Sequence, residues 1–187
     1  MTSTVTNTEV LRGTWAIDPA HSSFEFQARH AMIATVRGNF NEFSGTLNLD
    51  PDKPTNSSGQ VEIDATSIDT RQPDRDGHLK SADFLDVENH PKLTFQSTRA
   101  EAGDDPDSFK LFGDLTIKGI TKPVELDLTF NGVAVDPFGN QRAGFEATAV
   151  INRKDWGLLW NAPLEAGGVL VGDKVKLALD ISAIKQG

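Results

Sequence analysis

Several residue types are rare or missing in this 187-residue chain, and each absence narrows the classes of protein it can belong to. There is no cysteine, which excludes disulfide bonds, thiolate metal sites and a cysteine nucleophile. Tyrosine is absent too, which leaves His, Arg, Ser and Thr to bind a polar group. The 18 basic residues stand against 27 acidic ones, for a net charge of −9. Nucleic acid and anionic membrane surfaces are therefore poor partners.

Long hydrophobic runs are missing as well. No stretch reaches the length of a membrane span, so we expect no stable membrane insertion. The start of the chain, MTSTVTNTEVLRG, has neither the positive charge nor the apolar run of a secretory signal, which predicts a cytoplasmic protein. Residues 1–12 have no periodic pattern and are expected to be a flexible tail, followed by one domain over residues 13–187.

Motifs for metals and phosphate-containing cofactors are also lacking. The four histidines do not stand at metal-ligand spacing from one another or from a suitable carboxylate. No glycine-rich stretch has the spacing of a phosphate-binding loop. We therefore expect neither a metal nor a cofactor.

What the chain does contain is alternating polarity, from Trp15 almost to its end. Apolar residues recur at every second position, as in Phe145, Ala147, Ala149 and Ile151, and turn-forming clusters separate the segments. About eight to nine such segments, polar on one face, indicate an antiparallel sheet. A sandwich and a closed barrel both fit, but the long segments and short connections favour an all-β, up-and-down barrel of about eight strands.

One stretch, RDGHLKSADFLD, interrupts this pattern and predicts a short helix near residues 75–85. Asp74 or Asp76 is the expected N-cap, and Leu79 and Leu85 the expected anchors on the sheet. The same residues allow a second interpretation, in which Asp76 and His78 form an acid–base pair.

The interior of an eight-stranded barrel is either filled by side chains or open to one small ligand. The inward positions mix large residues such as Phe95 with small ones such as Gly113, which fits both a packed core and an elongated lumen. Polar inward residues are few, so an occupant of such a lumen would be mostly hydrocarbon.

Six segments taken together resemble the YceI-like family, and they follow one another from about Trp15 to Lys185. They read WAIDPAHSSFEFQARH, GNFNEFSGTLNLD, SIDTRQPDRDGHLKSADFLD with HPKLTFQS, FGDLTIKGITKPVELDL, INRKDWG and VGDKVKLALDISAIK. The resemblance implies a lipocalin-like barrel with a long apolar tunnel that binds an isoprenoid or another long-chain lipid. It also implies a stress-response role and, for exported relatives, a periplasmic location.

The resemblance also suggests site residues. The positions expected to line the lipid pocket, with the two tryptophans at its mouth, are Phe24, Phe26, Leu47, Phe95, Leu115, Leu126, Leu128, Phe145, Ala147, Ile151, Trp156, Trp160 and Leu177. A chiefly structural role at the barrel end, with one polar contact to a lipid head group, is expected for Arg75, Asp76 and His78. The candidates for binding a pyrophosphate head group are Arg29, Arg37, Arg71, Arg75 and Arg153.

Three functions remain open from the sequence. The favoured one is non-enzymatic binding, transport or storage of a long-chain lipid. The alternatives are a stress-associated interaction module with a packed core, and an enzyme that uses Asp76 and His78 on a hydrophobic substrate. Phe112, Val150 and Leu159 are expected to face outward, which leaves a homodimer open as well.

Overall fold

The structure, a computed structural model, describes residues 8–187, and within them nearly all regular structure is β-strand. The strands are β1 (Gly13–Ile17), β2 (Ser23–His30), β3 (Ala34–Phe40), β4 (Phe43–Leu49), β5 (Ser58–Asp64), β6 (Ile68–Asp69), β7 (Lys92–Ala102), β8 (Ser108–Ile117), β9 (Ile120–Val135), β10 (Gln141–Asn152) and β11 (Val171–Lys185). One α-helix, α1 (Pro73–Lys80), lies between β6 and β7.

These eleven strands form a closed antiparallel barrel with eight strand positions. Going around the barrel, β1 and β2 follow one another along the first position, β3 and β4 along the second, and β5 and β6 along the third. Each of the strands β7 to β11 fills one position by itself. Closure comes from β11, which pairs with β10 on one side and with both β1 and β2 on the other. Every position pairs with its neighbour in chain order, so the predicted up-and-down barrel is confirmed.

The interruption between β1 and β2 has a local cause. Asp18 caps the 3₁₀ helix Pro19–His21 by accepting a hydrogen bond from the Ala20 amide at 3.0 Å. Pro19 cannot donate to a strand ladder, which favours a break at this point. The strand is therefore divided and bent, while both halves still pair with β11.

The part of the expected tail, residues 1–12, that the structure describes begins at residue 8. Thr8–Leu11 form a 3₁₀ helix, whereas residues 1–7 of the predicted tail lie outside the described residues. Trp15 Nε1 donates to the Leu11 carbonyl at 2.8 Å, and Lys185 Nζ donates to the Val10 carbonyl at 2.6 Å. These two side chains hold the segment against the barrel, which the absence of periodicity did not predict.

The predicted helix is real but shorter than expected. It ends at Lys80 rather than near residue 85, because the Ser81 amide turns back to the His78 carbonyl at 3.1 Å. The N-cap is neither Asp74 nor Asp76 but Gln72, whose side chain accepts from the Arg75 amide at 2.8 Å. Buried Phe84 and Leu85 follow the helix as turn residues.

Strand direction defines two barrel ends. The β2–β3 connection, α1 and the β10–β11 connection lie at one end, called here the helix end. The β4–β5 loop (residues 50–57) and the β7–β8 loop (residues 103–107) lie at the other end, called here the loop end. Buried apolar clusters form around Trp156 towards the helix end and around Trp15 towards the loop end.

Candidate functional site

The interior of the barrel contains an apolar cavity of about 460 Å³. Its walls come from the inward positions of the strands, and its lining continues from Leu79 and Leu85 at the helix end to Leu49 and Pro106 at the loop end. This volume falls within the range of about 300–1,000 Å³ that is usual for ligand pockets. The barrel is therefore not filled by its own side chains, contrary to the packed-core alternative.

The cavity is long enough for an extended hydrocarbon chain. Phe109 and Ile117, at opposite ends of β8, both line it. Their separation is about 27 Å along the strand, or about 20 Å along the axis of a barrel whose strands tilt by 35–45°. An extended chain advances about 1.2 Å per bond, so this length corresponds to about 16 main-chain carbons.

The alternating pattern identified most of the wall. The predicted pocket residues that line the cavity are Phe24, Phe26, Leu47, Phe95, Leu115, Leu126, Leu128, Phe145, Ala147, Ile151 and Leu177. The period of two along β10, where Ala147 and Ile151 are buried and Thr148 and Val150 are exposed, is the signal that found them. That these residues contact a lipid remains a prediction.

Two glycines hold large aromatic rings against the wall. A Cβ atom on Gly38 would lie 2.3 Å from Cζ of Phe26, and one on Gly113 would lie 2.4 Å from Cζ of Phe95. Each ring therefore occupies the space over a glycine of a neighbouring strand. Because the rings lie on the glycines, the lumen can include phenylalanine and still stay open.

Exposure of the lining residues shows where the cavity opens. Among the residues that line it, the exposed ones are Pro54, Pro106 and Asp107, all in the two loops of the loop end. At the helix end the lining residues are buried or half-buried, including Phe84, Leu85 and Leu158. We conclude that the mouth lies between the β4–β5 and β7–β8 loops.

Arg153 helps to close the helix end, and its side chain is only 3 % exposed. Nε donates to the Gly172 carbonyl at 2.9 Å, and Nη1 donates to the carbonyls of Leu158 and Trp160. Nη2 donates to the Val171 carbonyl at 3.3 Å. Burial lowers the pKa of Arg153, and the nearby Asp173 carboxylate partly opposes that shift. Its donors thus tie the segment after β10 to the start of β11.

The expected mouth residues Trp156 and Trp160 do not line the cavity; both belong to the covered helix end. Trp156 is 2 % exposed and donates from Nε1 to the Leu115 carbonyl at 2.9 Å. Trp160 packs edge-on against His78, with ring centroids 4.6 Å apart. The alternating pattern ends at Asn152, so it did not show which way these tryptophans face.

The expected barrel-end residues Arg75, Asp76 and His78 make local contacts and do not line the cavity. The Asp76 carboxylate accepts from the Thr70 amide at 2.8 Å, and Arg75 Nε donates to Thr70 Oγ1 at 2.8 Å. His78 Nε2 lies 2.9 Å from the Asp83 carboxylate. An acid–base pair acting on a substrate in the lumen would need Asp76 and His78 to converge there, and they do not.

Sequence reasoning missed three parts of the site: the closing role of Arg153, the glycine contacts and the loop-end mouth. The sequence suggests Arg153 only as a head-group candidate, because its contacts with the carbonyls of Leu158, Trp160, Val171 and Gly172 depend on how the irregular β10–β11 connection folds back. Within residues 8–187 no group of His, Asp and Glu side chains is arranged to hold a metal ion. The same part of the chain contains no helix with the length and apolar character needed to cross a bilayer.

A closed eight-stranded barrel around an apolar cavity is the architecture of small-ligand-binding barrels such as the lipocalins. The model of the YceI-like domain matches residues 15–183, so the chain belongs to this family. A UPF0312 protein of Pectobacterium atrosepticum is 42% identical over 138 residues, which cover 74% of this chain and 71% of that protein. A UPF0312 protein of Staphylococcus aureus is 39% identical over 163 residues, covering 87% and 92%.

Solved structures share the fold. BcnA of Burkholderia cenocepacia superposes with a TM-score of 0.76 at 22% identity, covering 89% of this chain and 98% of that one. A polyisoprenoid binding domain from Saccharophagus degradans superposes with a TM-score of 0.71 at 14% identity, covering 92% and 98%. At these identities the likeness establishes the fold.

Proposed function

We propose that this protein binds a long-chain apolar lipid in the barrel lumen and carries or stores it without changing it chemically. The observation that carries the proposal is the apolar cavity of about 460 Å³ that extends through the barrel to the mouth at the loop end. Burial of hydrocarbon contributes about 0.8 kcal/mol per CH₂ group, so a tail that fills the cavity would be held mainly by dehydration.

The chemistry of the tail follows from the shape of the lumen. About 16 main-chain carbons correspond to about four isoprene units or to a palmitoyl-length chain, given the advance per bond of an extended chain. The similar barrel from Saccharophagus degradans is described as a polyisoprenoid binding domain, which makes an isoprenoid tail the first candidate here. The cytoplasmic location and the homodimer expected from the sequence stay predictions.

A filled-lumen variant tests this proposal. Ala147 lines the cavity at mid-strand, so Ala147→Phe places a ring in the path of the tail. Thr148→Phe is the matched control, because Thr148 is the next residue of β10 and is exposed on the outer wall. Displacement of an environment-sensitive apolar fluorophore by a C16 primary alcohol measures binding.

We expect the control to bind like the wild type and Ala147→Phe to lose at least tenfold in affinity while remaining folded by circular dichroism. Equal binding by both folded variants would place the ligand outside the lumen and contradict the proposal.

A further inference from the structure

The deep part of the lumen offers almost no polar group that could hold a lipid head group. Apart from Glu25 and Arg153, the polar side chains that line the cavity, Asp50, Ser57, Ser58 and Asp107, all lie at the loop end. Within residues 8–187, every buried side-chain nitrogen and oxygen atom has a hydrogen-bond partner. Arg153, the charged residue at the covered end of the cavity, donates to four backbone carbonyls. A head group placed there would lose its hydration without gaining a partner, which is unfavourable. The head group of a bound lipid therefore lies at the mouth.

The arginines that the sequence suggested for an anionic head group do not serve the mouth. Arg29 donates to Thr35 Oγ1 and to the Met32 carbonyl, at the hairpin of the helix end. Arg75 is bound to Thr70 beside α1. Of the five candidates only Arg153 lines the cavity, at its covered end. An anionic head group at the mouth would meet none of them.

The mouth itself carries negative charge. The β7–β8 loop contains Asp104, Asp105 and Asp107 and no basic residue, and none of these carboxylates has an ion-pair partner in the described part of the chain. Asp107 is exposed and lines the cavity.

The facing β4–β5 loop is less acidic than the β7–β8 loop, although it also carries two carboxylates. Its carboxylates Asp50 and Asp52 both contact Arg12, at 3.5 and 2.5 Å, so the guanidinium is already shared between them. Lys53 is the one basic residue among residues 50–57, and among the described residues no carboxylate lies within ion-pair distance of it. Even so, the five aspartates of the two loops outnumber the two basic residues Arg12 and Lys53, so the mouth is negative overall.

Building on the proposed function, we infer that the cavity selects lipids whose head group carries no negative charge and can donate a hydrogen bond. Carboxylates accept strong hydrogen bonds from hydroxyl, amide and ammonium groups, and they repel phosphate and carboxylate groups. The apolar wall thus selects for a hydrocarbon tail, and the aspartates of the β7–β8 loop select against a negatively charged head group.

The test compares four ligands with the same C16 tail: a primary alcohol, an amine, a carboxylate and a monophosphate. Affinities are measured at low and at high salt, below the concentration at which each ligand aggregates. We expect the alcohol and the amine to bind at least tenfold more tightly than the phosphate at low salt, and the difference to shrink at high salt because exposed charges are screened.

Asp107→Lys should reduce the preference for alcohol over phosphate by about fivefold, since it replaces a repulsive charge at the mouth by an attractive one. Asp155→Lys makes the same change in net charge at the exposed surface of the helix end and should leave the preference unaltered. Equal binding of phosphate and alcohol would overturn the inference and leave the proposed function intact. Failure of all four ligands to bind would overturn both.

Discussion

Replacement of Gly38 by alanine tests how the lumen is kept open. Gly38 on β3 pairs directly with Phe26 on β2, so both residues face the barrel interior. A Cβ atom at position 38 would lie 2.3 Å from Cζ of Phe26 and 2.9 Å from Cγ2 of Thr70. Because non-bonded carbons prefer separations of about 3.5–4.0 Å, the ring must move by more than about 1 Å. The space available for that movement is the cavity.

The effect of the displaced Phe26 ring differs between the ligand-free protein and the lipid complex. In the ligand-free protein the ring can move into open space, but Thr70 is buried and hydrogen-bonded to Arg75 and Asp76, so its contact with the new Cβ atom remains. We therefore expect the free energy of unfolding to fall by about 1–3 kcal/mol. In the complex the ring competes with the tail, and overpacking typically costs about 1–3 kcal/mol. The affinity for a C16 alcohol should therefore fall by a factor between about 5 and about 150.

The assay is fluorophore displacement together with chemical denaturation of the same variants. Gly77→Ala is the control substitution, because a Cβ atom on Gly77 in α1 has no neighbour within 4 Å; it should leave affinity unchanged. Gly38→Ala combined with Phe26→Ala removes the ring and should recover most of the lost affinity. Unchanged binding in Gly38→Ala, or no recovery in the double variant, would refute the reasoning.

Three further predictions concern tail length, the closed end and acid stability. In a series of primary alcohols, affinity should rise about fourfold per added CH₂ up to about 16 carbons and then level off. A rise that continues unchanged beyond that length would contradict the lumen length of about 20 Å. Arg153→Met should destabilise the fold by about 3 kcal/mol or more in denaturant unfolding, because four backbone carbonyls lose their donor, and a loss below 1 kcal/mol would contradict that role. The hydrogen bond from Arg142 holds the pKa of Asp136 well below its usual value. The ionised Asp136 carboxylate therefore stabilises the fold fully above its unfolded-state pKa of about 4, and this stabilisation is lost as the pH falls towards the lower pKa of the folded state. Asp136→Asn should therefore lower Tm at pH 7 and weaken the fall of Tm in acid, and an unchanged Tm at pH 7 would count against this account.

The strand pattern predicted the wall of the site well, and the reason is geometric. Along β10, inward Phe145, Ala147 and Ile151 alternate with exposed Glu146 and Thr148, so sequence parity alone assigns each side chain to a face. Closure into eight positions followed from the number and length of such segments and from the family resemblance. That resemblance also pointed to an open lumen, which composition alone did not decide.

The parts that the sequence did not reveal depend on side-chain contacts that strand alternation does not determine. Arg153 binds carbonyls on both sides of the β10–β11 connection, and the ring of Phe26 lies over Gly38 on the neighbouring strand. Trp156 and Trp160 follow the end of a strand, where parity no longer fixes direction. The helix ended early because Ser81 turns the chain back, although Leu85 continued the helical spacing.

Mass spectrometry of what the protein retains from its host tests the central claim most directly. The protein would be purified without detergent, denatured and extracted with organic solvent, and the extracted molecule would be quantified against protein. The account predicts about one molecule per chain with an unbroken hydrocarbon tail near 16 main-chain carbons or longer, absent from the Ala147→Phe variant. A wild-type protein that retains no such molecule and does not take one up when it is offered would contradict it.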